Sequence, residues 1–139
     1  HFYDMLTFVF GKVTGNVVNH RAVDCAAGYL ELERARVRWF LSINRRDLPS
    51  NRPPKQTTFR SITMNGEEIE FSEGFTDLHT LSYQQIVQGN GFTLDDVRPS
   101  IEVVSEIRNA EVRPHAGEPH PFLQGVLNSG ERYRSGWPV

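Results

Sequence analysis

Residues 28–43 read GYLELERARVRWFLSI, a run of strand-forming residues interrupted in the middle by charges. In its second half apolar and polar side chains alternate, so the odd-numbered residues of 37–43 share one apolar side. The pattern predicts a hairpin with arms at 28–32 and 37–43 and a turn within residues 33–36. No Gly or Asn marks that turn, so one long, bent strand is the alternative. Phe40 on the opposite, otherwise polar side indicates a second sheet face that is only partly solvated.

The segments around this hairpin also have recognisable periods. A helix is predicted over residues 1–11 and a strand over residues 12–20. Three prolines in residues 45–56 predict a long loop. The pair Asn65-Gly66, preferred in type I′ turns, predicts a second hairpin across residues 57–71.

Helical spacing returns in the second half of the chain, over residues 75–88 and 94–109. Pro99 is expected at the first position of the longer helix, after one preliminary turn. From Glu111 onward Pro, Gly and polar residues predict an irregular tail. Because strands form one block and helices others, we predict a single α+β domain over 1–139. It has an open, mainly antiparallel sheet with helices packed on one face.

The bulk composition excludes several classes of partner. A net charge of −2 gives no electrostatic reason to expect nucleic acid or an anionic membrane surface. No stretch approaches the apolar length of a membrane span. The single cysteine, Cys25, excludes an internal disulfide, predicts a reducing cytoplasm and is expected to be a small buried residue.

The N-terminal helix has a C-terminal signal at Gly11, but no capping residue precedes its first apolar position. Such a pattern favours a piece of a larger protein. The sequence contains no GxGxxG, P-loop, HExxH, CxxC or GxSxG motif, and so no complete catalytic signature.

Partial signatures remain. His1 and Asp4 lie one helical turn apart, where a carboxylate can orient or charge an imidazole, although such pairs are commonly structural. His79 and Tyr83 share one face of the predicted helix 75–88, whose start Thr76 or Asp77 can cap; a ligand site and a core role both stay open. The histidines at 115 and 120 have no further ligand at a recognisable spacing, so we predict an ordered loop and no metal site.

Three of these stretches resemble a known family. Residues 1–4, HFYD, look like the second half of a Gly-x-His-x-x-Asp motif in the Gfo/Idh/MocA oxidoreductases, whose Rossmann domain is followed by an α+β domain. Residues 28–43 and 75–80 are more similar still to the UDP-N-acetylglucosaminuronate 3-dehydrogenases of lipopolysaccharide O-antigen synthesis.

This resemblance implies the C-terminal domain of an NAD-dependent oxidoreductase that oxidises the 3-hydroxyl of a UDP-sugar. It assigns proton transfer to His1; the dehydrogenase hypothesis adds Asp4 as its orienter and predicts substrate binding by Thr76, His79 and Tyr83. The family's Glu-Lys-Pro lysine and its dinucleotide fingerprint are missing from the sequence, so the chain alone is expected to be inactive. Phe40 on the second face of the open sheet also predicts a homo-oligomer through that face.

The alternative hypothesis is a non-catalytic module that binds a ligand or oligomerises through the open sheet face. A reading frame upstream of His1 that encodes GxGxxG and Glu-Lys-Pro would favour the dehydrogenase.

Overall fold

The computed structural model of the chain describes residues 1–73 and 77–128. Contacts between its residues divide the chain into two compact units. The first unit contains His1–Ile43 and the described residues from Thr93 onward, and the second contains Asn44–Phe92.

The described residues form four helices and five strands. The helices are α1 Phe2–Phe10, α2 Leu78–Val87, α3 Leu94–Asn109 and α4 Pro121–Asn128. The strands are β1 Val13–Arg21, β2 Cys25–Leu32, β3 Arg36–Ser42, β4 Ser61–Met64 and β5 Glu67–Glu70. The predicted α+β class is therefore confirmed. None of the described helices is long and apolar enough to cross a membrane.

In the first unit β1, β2 and β3 form an antiparallel sheet in that order. The hairpin predicted in residues 28–43 is confirmed, with Gly28 opposite Trp39 and Leu30 opposite Val37. Its first arm starts at Cys25, earlier than predicted. Because the two arms pair with each other, one long, bent strand is excluded.

One face of this sheet carries the main core. Leu6 of α1 and two residues of α3, Val103 and Ile107, pack with the buried sheet residues Val18, Leu30, Leu32 and Trp39. The Arg21 guanidinium on β1 donates to the carbonyls of Ile107 (2.6 Å) and Ala110 (2.9 Å), which satisfies the last turn of α3. The helices α1 and α3 thus cover the same side of the sheet.

The predicted position of Pro99 is wrong. Thr93 and Asp96 form a capping box that fixes the start of α3 at Leu94, and Pro99 lies inside the helix. Proline there removes one intrahelical hydrogen bond, and the capping box and the packed face of α3 offset that loss.

The prediction of an irregular tail after Glu111 is wrong for α4. This helix lies at the second sheet face, where Val126 packs with Ala22 and Cys25 and is joined by Phe40. The second face is therefore partly covered by the chain itself. Cys25 is buried, as predicted.

Hydrogen bonds join the edge strand β1 to the segment between α3 and α4. The N–H of Arg113 donates to the carbonyl of Val18 (2.8 Å). The Asn19 side-chain amide donates to the carbonyls of Arg113 (3.1 Å) and Ala116 (2.7 Å). These bonds hold the residues after α3 against the sheet edge.

In the second unit β4 and β5 form the predicted hairpin. Asn65 and Gly66 both have positive φ, 55° and 84°, as a type I′ turn requires. The predicted loop 45–56 contains a single turn of 3₁₀ helix at Arg45–Asp47. The helix α2 has no buried residue.

Candidate functional site

The pair His1 and Asp4 lies in the first turn of α1. His1 occupies the N-cap position, where its carbonyl accepts the N–H of Met5 (2.9 Å) and its side chain caps nothing. Asp4 is exposed. Within residues 1–73 and 77–128, no hydrogen bond or ion pair joins the two side chains. The structure thus places both groups on one exposed turn without the direct contact that the spacing allows.

This turn is anchored to the sheet by an aromatic contact that sequence reasoning missed. The Tyr3 ring meets Trp39 edge to face, with centroids 5.7 Å apart and planes at 89°. Trp39 is buried, and burial raises the pKa of Tyr3 well above its usual value, so this phenol stays neutral. Tyr3 therefore fixes the position of the turn that carries His1 and Asp4.

Gly28 explains why Trp39 can lie so close to the sheet. A Cβ built on Gly28 would come within 2.6 Å of Trp39 Cζ2 and would also contact the carbonyl oxygen of Val17. A side chain at this position would push Trp39 outward, and with it the ring against which Tyr3 packs. A glycine inside a strand is the sequence signal for such a close approach.

His79 and Tyr83 lie one turn apart on α2, and both are exposed. The predicted sharing of a helix face is confirmed, and a core role within this chain is excluded. A shallow, open depression along α2 is lined by Thr80, Tyr83, Gln84, Val87 and Gln88. His79 is not among its lining residues.

The predicted caps of this helix have different outcomes. Asp77 occupies the N-cap position with φ 60°, but its side chain makes no capping hydrogen bond. Capping by the Asp77 side chain is therefore wrong. Thr76, the other predicted cap and substrate-binding residue, lies outside the described residues.

The candidate residues belong to different units: His1 and Asp4 to the first, His79 and Tyr83 to the second. Each pair is brought together by its own helix. Among the described residues, no cluster of three or more His, Cys, Asp or Glu side chains could hold a metal ion.

Comparison with solved structures defines the class of protein to which the chain is similar. It is a class of dehydrogenases crystallised with NAD, and the matches cover 88% of this chain. One is the WlbA (WbpB) dehydrogenase from Thermus thermophilus in complex with NAD and alpha-ketoglutarate, at 46% identity and a TM-score of 0.81. Another is that dehydrogenase in complex with NAD and UDP-GlcNAcA, at 44% identity and a TM-score of 0.80.

Both matches cover 40% of the dehydrogenase chain, so this chain spans well under half the length of the proteins it matches. The resemblance to Gfo/Idh/MocA-type sugar-nucleotide dehydrogenases is confirmed by these neighbours. No protein-family model matches the chain.

Proposed function

We propose that this chain is part of an NAD-dependent dehydrogenase that oxidises the 3-hydroxyl of a UDP-N-acetyl-hexosaminuronate in lipopolysaccharide biosynthesis. The observation that carries the proposal is 44% identity over 88% of this chain to a dehydrogenase solved with both NAD and UDP-GlcNAcA. This chain spans 40% of that protein, and we propose that it contributes the substrate side of the reaction and needs the rest of the enzyme for activity.

The residues of this chain do not fit the cofactor's pyrophosphate. The sequence has no GxGxxG, and the first unit's sheet is antiparallel, so its described residues lack the βαβ unit that binds dinucleotides. NAD binding therefore falls to the part of the dehydrogenase outside this chain. When bound there, NAD supplies the hydride acceptor.

The His1 imidazole is the proposed acid/base group. It takes the proton of the sugar hydroxyl as that carbon is oxidised, which is the general-base role that histidine serves most often. Asp4, one turn away, orients the imidazole and stabilises its protonated form. Tyr3 keeps this turn in place through its contact with Trp39.

The second unit supplies the proposed substrate contacts. His79 and Tyr83 present polar groups on an exposed helix, and they and Thr76 are the proposed contacts to the sugar or the diphosphate. We also propose a cytoplasmic enzyme that forms a homo-oligomer through the sheet face. Phe40 on that face is already contacted by His120, so the interface uses exposed residues such as Arg38.

A chimera tests the proposal. The matching part of the Thermus thermophilus dehydrogenase is replaced by this chain, and NADH formation with UDP-GlcNAcA is followed by ultraviolet absorbance. Reduction of the keto product with borodeuteride should place deuterium at sugar carbon 3. Deuterium at another carbon would overturn the 3-hydroxyl assignment, and a folded chimera that binds NAD but forms no NADH would overturn the activity.

Variants of the chimera test the residue roles. His1→Asn should lower kcat by a factor of about 10² to 10⁴ and leave NAD affinity unchanged, because general acid–base catalysis contributes that much. His115→Asn, the same change at another exposed histidine, is the control and should have kcat within about twofold of the parent. Equal kcat for the two variants would remove His1 from the mechanism.

For the substrate contacts, Tyr83→Phe and His79→Ala should raise the KM for UDP-GlcNAcA. Gln85→Ala, at an exposed position of the same helix outside the depression, should not. A KM unchanged in all three variants would contradict the assignment of α2 to the substrate.

A further inference from the structure

The helix α4 is attached to the second sheet face through an aromatic cluster of Phe40, His120 and Phe122. His120 stacks on Phe40 with ring centroids 5.8 Å apart and planes at 29°. Phe122 meets Phe40 edge to face at 6.3 Å and lies 5.3 Å from His120. His120, directly before α4, is thus packed between the sheet and the first turn of the helix.

His120 also organises the start of α4. Its Nδ1 accepts the backbone N–H of Phe122 at 3.2 Å, and its carbonyl accepts the N–H of Leu123 at 3.0 Å. The first of these bonds requires Nδ1 without a proton. The neutral imidazole is therefore the form that matches this geometry.

Beyond its first turn α4 covers a small apolar cluster. Leu123 and Val126 are 2% and 8% exposed, and Val126 packs with Ala22 and Cys25, which is 5% exposed. The Cys25 thiol is the only one in the sequence. Its accessibility therefore reports whether α4 is in place.

The surroundings of His120 disfavour a positive charge on its imidazole. Burial, and then the nearby Arg38 guanidinium on β3, lower the pKa of the His120 imidazole. On β1, His20 pairs with Ala27, which pairs with Phe40, so His20 lies two strands away, about 10 Å. Other titratable or charged groups on β2 and in residues 110–119 are Cys25, Tyr29, Glu31, Glu111, Arg113, His115 and Glu118. The helix α4 itself carries no titratable side chain.

We propose that α4 is a pH-sensitive latch: protonation of His120 breaks its bond to the N–H of Phe122, releases α4 from the sheet and uncovers Cys25. Because the folded state lowers this pKa, the latch is fully stabilised above the ordinary histidine pKa, about 6.5. Its stabilisation is lost progressively as the pH falls from there through the folded-state pKa.

The accessibility of Cys25 to a dipyridyl disulfide reagent tests the latch in the chain as it stands. At each pH the labelling rate is divided by the rate of the same chain in denaturant, which removes the intrinsic titration of the thiol. Between about pH 7.5 and about pH 5.5 this ratio should rise by a factor of about three or more. Hydrogen exchange at the Leu30 amide should stay slow, since Leu30 lies in the core of the opposite face.

Two substitutions identify the titrating group. His120→Asn keeps an uncharged side chain suited to a helix N-cap and should make the labelling ratio independent of pH. His115→Gln, at an exposed histidine of the same segment, should behave like the parent. A pH-dependent ratio that persists in His120→Asn would overturn the proposal and assign the effect to another group such as His20. A parent ratio without pH dependence, or a rise matched by loss of Leu30 protection, would also overturn it.

Discussion

Gly28→Ala should destabilise the first unit by about 2 kcal/mol. The new Cβ would contact the Val17 carbonyl oxygen and come within 2.6 Å of Trp39 Cζ2. Neither neighbour can move easily, since the carbonyl belongs to the paired strand β1 and Trp39 is only 6% exposed. Overpacking of this kind costs about 1–3 kcal/mol, and two contacts place Gly28→Ala at the upper end. Alanine also lowers the conformational entropy of the unfolded chain, which offsets about 0.5–1 kcal/mol of this overpacking cost.

The chain offers a matched control in Gly125, which lies inside α4. A Cβ there meets nothing within 4 Å, so Gly125→Ala should stabilise the chain by about 0.5–1 kcal/mol through helix propensity. Urea unfolding followed by circular dichroism measures both variants, and the midpoint for Gly28→Ala should fall by about 1 M. If Gly28→Ala matched or exceeded the parent while Gly125→Ala behaved as expected, the close approach of Trp39 to β2 would be refuted.

Two further predictions concern polar contacts. Asn19→Ala should cost about 2 kcal/mol in urea unfolding, because two backbone carbonyls after α3 lose their donor at a site 2% exposed. Asn109→Ala, which removes an exposed hydrogen bond of a side-chain amide within α3, should change stability by less than about 0.5 kcal/mol. Equal losses of stability in Asn19→Ala and Asn109→Ala would contradict this reasoning. Hydrogen bonds from the backbone N–H and then the hydroxyl of Thr93 lower the pKa of Asp96. The Asp96 carboxylate therefore stabilises the start of α3 above the ordinary carboxyl pKa, and this stabilisation is lost as the pH falls through the folded-state pKa. In an NMR titration Thr93→Val should move this pKa part of the way back, and an unmoved pKa would exclude the hydroxyl as a cause.

Strong local signals in the sequence predicted the strands and their turns. Alternation in β3 located the hairpin and its apolar side, and Asn65-Gly66 located the second hairpin with its turn type. Where the local signal is weak, packing decides. The small side chains at the start of β2 show no alternation, and α4 contains Gly125 and becomes a helix against Phe40.

The candidate site was predictable only in part, because spacing along a helix gives faces and not contacts. It placed His1 with Asp4 and His79 with Tyr83, each pair on one exposed turn. The contact of Tyr3 with Trp39 joins residues far apart in the chain, which periodicity cannot detect. Gly28 was the local sequence signal for this contact, but its role can be interpreted only once its neighbour across the sheet is known.

Because the first unit is discontinuous in the sequence, its two parts are synthesised at different times. The chain leaves the first unit at Ile43 and rejoins it at Thr93, after an excursion of about fifty residues whose closure costs entropy. Until α3 emerges from the ribosome, Val103 and Ile107 are missing from the apolar cluster around Leu30. A newly made chain therefore has an incomplete core while the second unit is being synthesised, and transiently exposed apolar surface of this kind favours aggregation.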